Sequence, residues 1–145
     1  MNINIPNAIT PRSGLLLGGQ PSMEALQAAQ TAGFQTIINL RGVGEAGTDL
    51  EPQIVADLGM KYVHIPVNGA GGITAENALR LSQSMSEAGD ESVMVHCASG
   101  NRVGALFALA AHQLDGLSAE DALLKGRQHG LTGLEPLVRA LLGLA

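Results

Sequence analysis

Apolar residues in this chain fall into two alternating patterns, and the alternation predicts an architecture before any chemistry is considered. Short runs rich in Leu, Ile and Val at 15–17, 34–40, 61–65 and 93–95 read as buried strands. Between them lie segments with helical spacing and recognisable ends. Ser22 is placed to cap a helix that Gly33 closes, and a second helix covers about 50–58 before Gly59. A third starts at Thr74, sets Ala78, Leu81, Met85 and Ala88 on one face, and ends at Gly89. From Val103 onward, Val103, Leu106, Phe107, Ala110 and Leu114 share another helical face. Ser118 with Asp121, and Thr132 with Glu135, have the spacing of capping boxes for two more helices. The last carries an apolar stripe of Leu134, Leu137, Val138, Leu141 and Leu142 that should dock on the body.

The connecting stretches are read from their punctuation. Pro6 and Pro11 predict that residues 1–12 lie over the surface ahead of the first strand. Gly42, Gly44 and Gly47 predict a polar, mobile loop after the second strand. Asn68, Gly69, Gly71 and Gly72 predict a stretch without regular structure after the third. Strands alternating with helices imply an α/β fold of three layers, a mainly parallel sheet of four to five strands with helices on both faces, forming one domain over 1–145. Such sheets bind ligands beyond the carboxyl ends of their strands. Arg41, the loop after Pro66 and the loop after Val95 should therefore meet on one edge.

Composition narrows the class. Hydrophobic residues make up 46% of the chain and charged ones 14%, yet there is no Trp, one Tyr and two Phe, so the core must be built from Ala, Leu, Ile and Val and its helices must pack closely. The formal charge is −5 and no Lys/Arg cluster occurs, which argues against a nucleic-acid surface. A single cysteine forms no internal disulfide, consistent with a reducing compartment. The N-terminus has neither a basic start nor a continuous apolar region, so no signal peptide and no membrane span are expected. The reading is cytoplasmic.

Chemistry is concentrated between the strand at 93–95 and the helix from Val103, in His96, Cys97, Ala98, Ser99, Gly100, Asn101 and Arg102. A strand-to-helix loop aims backbone N–H groups and the positive end of the helix dipole at one point, and a thiol held there beside an Arg loses its proton readily. A buried core cysteine is the bland alternative, outweighed by the Gly and Arg that follow it. Cys97 is therefore the candidate nucleophile, and Arg102 would clamp two oxygens of an oxyanion. The backbone of Ala98, Ser99, Gly100 and Asn101 would line the same cradle, with Gly100 allowing a positive φ or a close approach. His96 is expected to support the loop by hydrogen bonding. His64, His112 and His129 are scattered without ligand spacing, so neither a metal nor a cofactor is expected.

These residues carry a resemblance. The order His96, Cys97, Gly100, Arg102 resembles the His-Cys-x-x-Gly-x-x-Arg signature of cysteine-dependent phosphatases, with the Arg one position early. The pieces 14–22, 33–41 and 62–67, as an ordered set spanning 10 to about 125, resemble a bacterial group of small proteins similar to dual-specificity phosphatases. Members of that group are fused to, or named after, beta-lactamase-like hydrolases, and some are labelled sulfur transferases. The resemblance implies a cysteine-phosphatase-like fold and hydrolysis of phosphate monoesters, phosphotyrosine or aryl phosphates among them, through a phosphocysteine. Its partners would be phosphorylated small molecules or proteins.

Related phosphatases carry an Asp general acid on the loop after the third strand, where this chain has Asn68. Arg41, Glu45 and Asn68 are the candidates for substrate contact or acid, with Asp49 also within the neighbouring loop. The signature's Ser or Thr after the Arg is here Val103. The Cys-x4-Arg spacing also resembles single-domain rhodaneses, so a sulfurtransferase carrying a Cys97 persulfide is the alternative. A non-catalytic oxyanion-binding module is the third reading.

Overall fold

The computed structural model describes residues 3–144; Met1 and Asn2, the start of the stretch read for a leader, and Ala145 lie outside the described residues. Five strands form one sheet: β1 (Ile9–Arg12), β2 (Leu15–Gly18), β3 (Phe34–Asn39), β4 (Lys61–His64) and β5 (Ser92–His96). Their order is β1-β2-β5-β3-β4, parallel throughout except where β1 pairs antiparallel with β2. The helices are α1 (Met23–Thr31), α2 (Glu51–Asp57), α3 (Ala75–Ala88), α4 (Asn101–Gln113), α5 (Ala119–Gln128) and α6 (Glu135–Leu141).

Side chains that alternate along the strands divide the interior in two, because successive strand residues face opposite sides of the sheet. Leu15, Leu17, Ile38, Val93 and Val95 pack with residues of α3, α4, α5 and α6. Leu16, Ile37 and Met94 pack with Ala25, Leu26 and Ala29 of α1 and Val55 of α2. This is the three-layer α/β arrangement with helices on both faces that the periodicity predicted. Central strands buried on both faces explain why their sequences read as continuous apolar runs.

Helix α4 is buried all round from Val103 to Ala111. Small residues make this fit possible. A Cβ at Gly126 of α5 would come within 2.8 Å of Ala108 Cβ, and one at Gly104 would run into the backbone of Leu131. The shortage of aromatic residues is thus met by close helix approach.

Several sequence expectations need correction. Residues 1–12 do not merely cover the surface: Ile5 is buried in the α1–α2 side of the core, and residues 9–12 form the edge strand β1. Pro11 is tolerated there because an edge strand leaves one row of N–H groups unpaired. The glycine-rich stretch after β4 forms a 3-10 turn over Gly69–Gly72 rather than an irregular loop. Thr132 does not cap α6; the helix starts with Glu135 and Pro136, and its Leu134 cap has no side-chain bond. Leu114 lies at the exposed end of α4, 44% accessible, outside the face assigned to it. Ser22, Thr74 and Ser118 do cap α1, α3 and α5, each accepting a backbone N–H.

Candidate active site

The parallel register sets the ends of β2, β3 and β5 side by side, with His96 between Gly18 and Asn39. Cys97 follows at once. Its N–H donates to Gly18 O at 3.1 Å, and His96 O accepts from Leu40 N at 2.8 Å, so both neighbouring strands grip the start of the loop. Gly100 has φ +96°, a conformation that strains any residue with a side chain, and it turns the chain back so that its N–H reaches Cys97 Sγ at 3.0 Å. Outward-facing carbonyls anchor the turn: Ala98 O accepts from Gln20 N at 3.2 Å and Ser99 O from Asn7 Nδ2 at 2.9 Å. Cys97 is buried beneath this loop, whereas Ala98 and Ser99 are exposed.

Asn101 opens α4 and is directed away from the cradle. Its Oδ1 accepts the N–H groups of Thr132 at 2.9 Å and Leu134 at 3.2 Å. It thereby anchors the turn that leads into α6.

Arg102, on the first turn of α4, lies in a cage of acceptors. Its Nη1 donates to Glu45 Oε2 at 2.7 Å and to Val67 O at 2.8 Å, and its Nη2 donates to Glu45 Oε1 at 2.9 Å. A guanidinium has five N–H donors in a fixed plane. The Glu45 carboxylate takes the Nη1–Nη2 edge and Val67 the remaining Nη1 donor, which leaves the Nε–Nη2 edge as the one fork that can meet an oxyanion. The Glu45 carboxylate, followed by the neighbouring Cys97 sulfur, holds the Arg102 proton more firmly than in a free side chain.

Glu45 is itself fixed from several sides. Arg41 Nε donates to its Oε1 at 3.0 Å, and the Gly42 N–H donates to its Oε2. The bond from Arg102 above all, opposed by burial and assisted by Gly42 and Arg41, lowers its pKa from 4.5 to about 2. A carboxyl so strongly ionised has no proton to deliver near neutrality. The loop read as mobile is thus tied down at its centre.

Arg41 extends the network inward. Its Nη1 donates to Ala46 O at 2.7 Å and to Gln20 Oε1 at 2.9 Å, while Gln20 Nε2 donates to Glu51 Oε1 at 2.7 Å. Glu51 Oε2 in turn meets His96 Nε2 at 2.6 Å, both side chains being shut off from solvent, and His96 Nδ1 lies 3.3 Å from Cys97 O. A continuous chain of polar contacts therefore runs from the cysteine loop through Glu51, Gln20, Arg41 and Glu45 to Arg102. Buried polar groups linked in this way fix one another's orientation.

The structure brings His96, Cys97, Gly100, Arg102, Arg41 and Glu45 into this assembly. Asn68 sits beside it, its Oδ1 in the space that a Cβ on Gly42 would need. Asn7, Gln20 and Glu51 escaped the sequence reading. Asn7 and Gln20 have no local pattern to betray them. Glu51 does carry a signal, for it stands four residues before Val55, and these two are the buried residues of α2. A carboxylate on the apolar stripe of a helix asks for a buried partner.

A parallel sheet that ends in a cysteine loop closed by an arginine defines the class of the cysteine-phosphatase-like α/β proteins. Residues 9–129 match the family described as DSP-PTPase phosphatase fused to NAD+ kinase, PTP-NADK, and the chain belongs to that family. Its sequence is 33% identical over 128 residues to a beta-lactamase hydrolase-like protein of Agrobacterium fabrum, covering 85% of this chain and 29% of that one. A protein of the same description from Xylella fastidiosa is 32% identical over 121 residues, covering 80% and 27%. The chain thus spans less than a third of the length of these relatives.

Among solved structures, a DUF442 protein of Shewanella putrefaciens superposes with a TM-score of 0.73 at 22% identity, over 95% of this chain and 87% of that one. The core catalytic domain of the PP-IP phosphatase Siw14 from S. cerevisiae gives a TM-score of 0.70 at 13% identity, over 96% and 86%. These likenesses show the fold. Family and fold together make the chain a phosphatase domain of the dual-specificity and tyrosine type. Among the described residues no helix is long and apolar enough to cross a membrane.

Proposed function

We propose that this domain hydrolyses phosphate monoesters through Cys97. The thiolate attacks phosphorus, the P–O bond to the leaving group breaks, and a phosphocysteine forms; water then attacks that intermediate, releasing inorganic phosphate and the thiolate. The Nε–Nη2 edge of Arg102 and the backbone N–H groups of the 98–102 loop stabilise the charge on the transferring group. Glu45 and Arg41 act as positioning residues that hold the Arg102 fork, and His96 with Glu51 holds the loop. The observation that carries this reading is the Glu45 carboxylate clamped on one edge of Arg102, near the Cys97 sulfur, which leaves the Nε–Nη2 edge to meet an anion.

With Glu45 ionised and Asn68 in the acid's place, leaving-group protonation falls to water. A general acid typically contributes about 10²–10⁴-fold. Turnover should therefore favour aryl phosphates and fall steeply as the leaving group becomes more basic. A free cysteine as nucleophile fits a reducing, cytoplasmic setting.

One observation favours a second reading. Glu45 is held ionised by Arg102 and Asn68 carries no acidic proton, so neither side chain can protonate an alkoxide leaving group. Sulfur transfer has no such need: Cys97 thiolate takes the outer sulfur of thiosulfate, releasing sulfite, which leaves without a proton, and cyanide then removes that sulfur as thiocyanate and frees the thiolate.

The test is paired turnover on one preparation, with an aryl phosphate and with thiosulfate plus cyanide, each repeated with Cys97→Ser. Phosphate release that vanishes in the variant supports the phosphatase. Thiocyanate formation that depends on Cys97, without phosphate release, replaces it with the second reading. Unchanged phosphate release in Cys97→Ser overturns the assignment of the nucleophile.

A further inference from the structure

A second cavity, of 340 Å³, opens between β1, α3, α4 and α5, and none of its lining residues belongs to the 97–102 loop or to the Arg102 cage. Its volume is at the small end of the roughly 300–1,000 Å³ that small-molecule sites enclose. The walls are of two kinds. Leu15, Leu81, Met85, Phe107 and Ala110 give an apolar lining, and Phe107 stands 4.8 Å, centroid to centroid, from the imidazole of His129.

The polar groups come from three different elements: Arg12 at the end of β1, Lys125 and His129 at the end of α5, and Asp115 after α4. With His129 neutral, two permanent cations against one carboxylate leave a single net positive charge, which suits a monoanion; protonation of His129 raises it to two. His129 is poised to respond to such a charge. Its Nδ1 contacts Lys125 O at 2.7 Å, and Nε2 makes no hydrogen bond among the described residues. Burial first, and then the positive charges of Lys125 and Arg12, hold its pKa below the ordinary value, with the Lys125 carbonyl opposing them.

We propose that this cavity binds a small amphipathic carboxylate, its ring or branched apolar body against Leu81, Phe107 and Ala110 and its single negative charge among Arg12, Lys125 and His129. An anion there offsets the repulsion from Lys125 and Arg12 and favours protonated His129. Binding therefore takes up a proton and tightens as the pH falls through the pKa of His129 in the complex. Asp115 opposes the same charge. This inference is independent of the reaction at Cys97, since it uses none of the same residues.

The test is a titration with 3-phenylpropionate, followed by amide and imidazole resonances, with 3-phenylpropanamide as the uncharged control. Saturable shifts centred on Phe107, Lys125 and His129 are expected, with His129 titrating at higher pH in the complex. Loss of one charged contact in Lys125→Gln, a half-buried side chain on the outer part of α5, should weaken binding about tenfold, and the amide should lose a similar factor. Absence of saturable shifts at these residues would overturn the proposal. So would shifts centred on 98–102 that inorganic phosphate competes away, or equal affinity in Lys125→Gln and the wild type.

Discussion

The two halves of the candidate site are built by different means. The 96–102 stretch is held mostly through its backbone: Gly18, Leu40 and Gln20 bond its main chain, Gly100 supplies the turn, and the Asn7 side chain adds a bond to Ser99 O. The 41–51 segment is held by side chains, with Glu45 bonded to Arg102 and Arg41, and Glu51 bonded to His96 and Gln20. A backbone-built site tolerates many side chains as long as its turn residue stays. A site built from ion pairs depends on each member, because removing one partner leaves the other desolvated and unmatched. The proposed nucleophile thus belongs to a robust part, and the orientation of Arg102 to a fragile one.

Substitutions in the side-chain half separate the two. Glu51→Ala leaves His96 and Gln20 without their shared acceptor in the interior, and should cost about 3 kcal/mol of stability, read from denaturant midpoints. Little change there would mean that the His96 contact is incidental. Glu45→Gln keeps the shape but removes the charge that orients Arg102. It should lower turnover by about 10²-fold, the scale on which small misplacements of a catalytic group act, with a smaller effect on KM.

The same variant has a signature in pH. The pKa of Glu45 in the folded protein, about 2, lies below its ordinary 4.5, so its ionised form stabilises the fold at neutral and mildly acidic pH, and that contribution is lost as the pH falls from 4.5 toward 2. The difference in Tm between wild type and Glu45→Gln should be full above about pH 5 and should close toward pH 2. A difference independent of pH would assign the effect to packing. The smallest change is expected at Thr48, whose buried Oγ1 has no hydrogen-bond partner among the described residues. Thr48→Val removes that orphan and should stabilise the protein by up to about 1 kcal/mol.

The same contrast explains what the sequence revealed. Strands, helix caps and the loop from His96 to Arg102 are written in neighbouring residues, so apolar spacing, Ser22, Thr74, Ser118 and the order Cys97, Gly100, Arg102 sufficed to place them. Glu45 and Arg102 are 57 positions apart, and His96 and Glu51 are 45 apart. No local rule joins such pairs. Glu45 looked like a solvated loop charge or an acid because its loop is glycine-rich, and only the fold brings it onto the guanidinium. Asn101 shows the same thing, since the turn before α6 is anchored by this residue of another element, 31 positions from Thr132.

The central claim is that phosphoryl transfer passes through Cys97. The direct measurement is mass spectrometry of the protein quenched in acid during turnover of an aryl phosphate. A phosphoryl group on the peptide that carries Cys97, accumulating in the wild type and absent in Cys97→Ser, is the result predicted. Phosphate release with no phosphorylated Cys97 at any quench time, or with the group on another side chain, would contradict it.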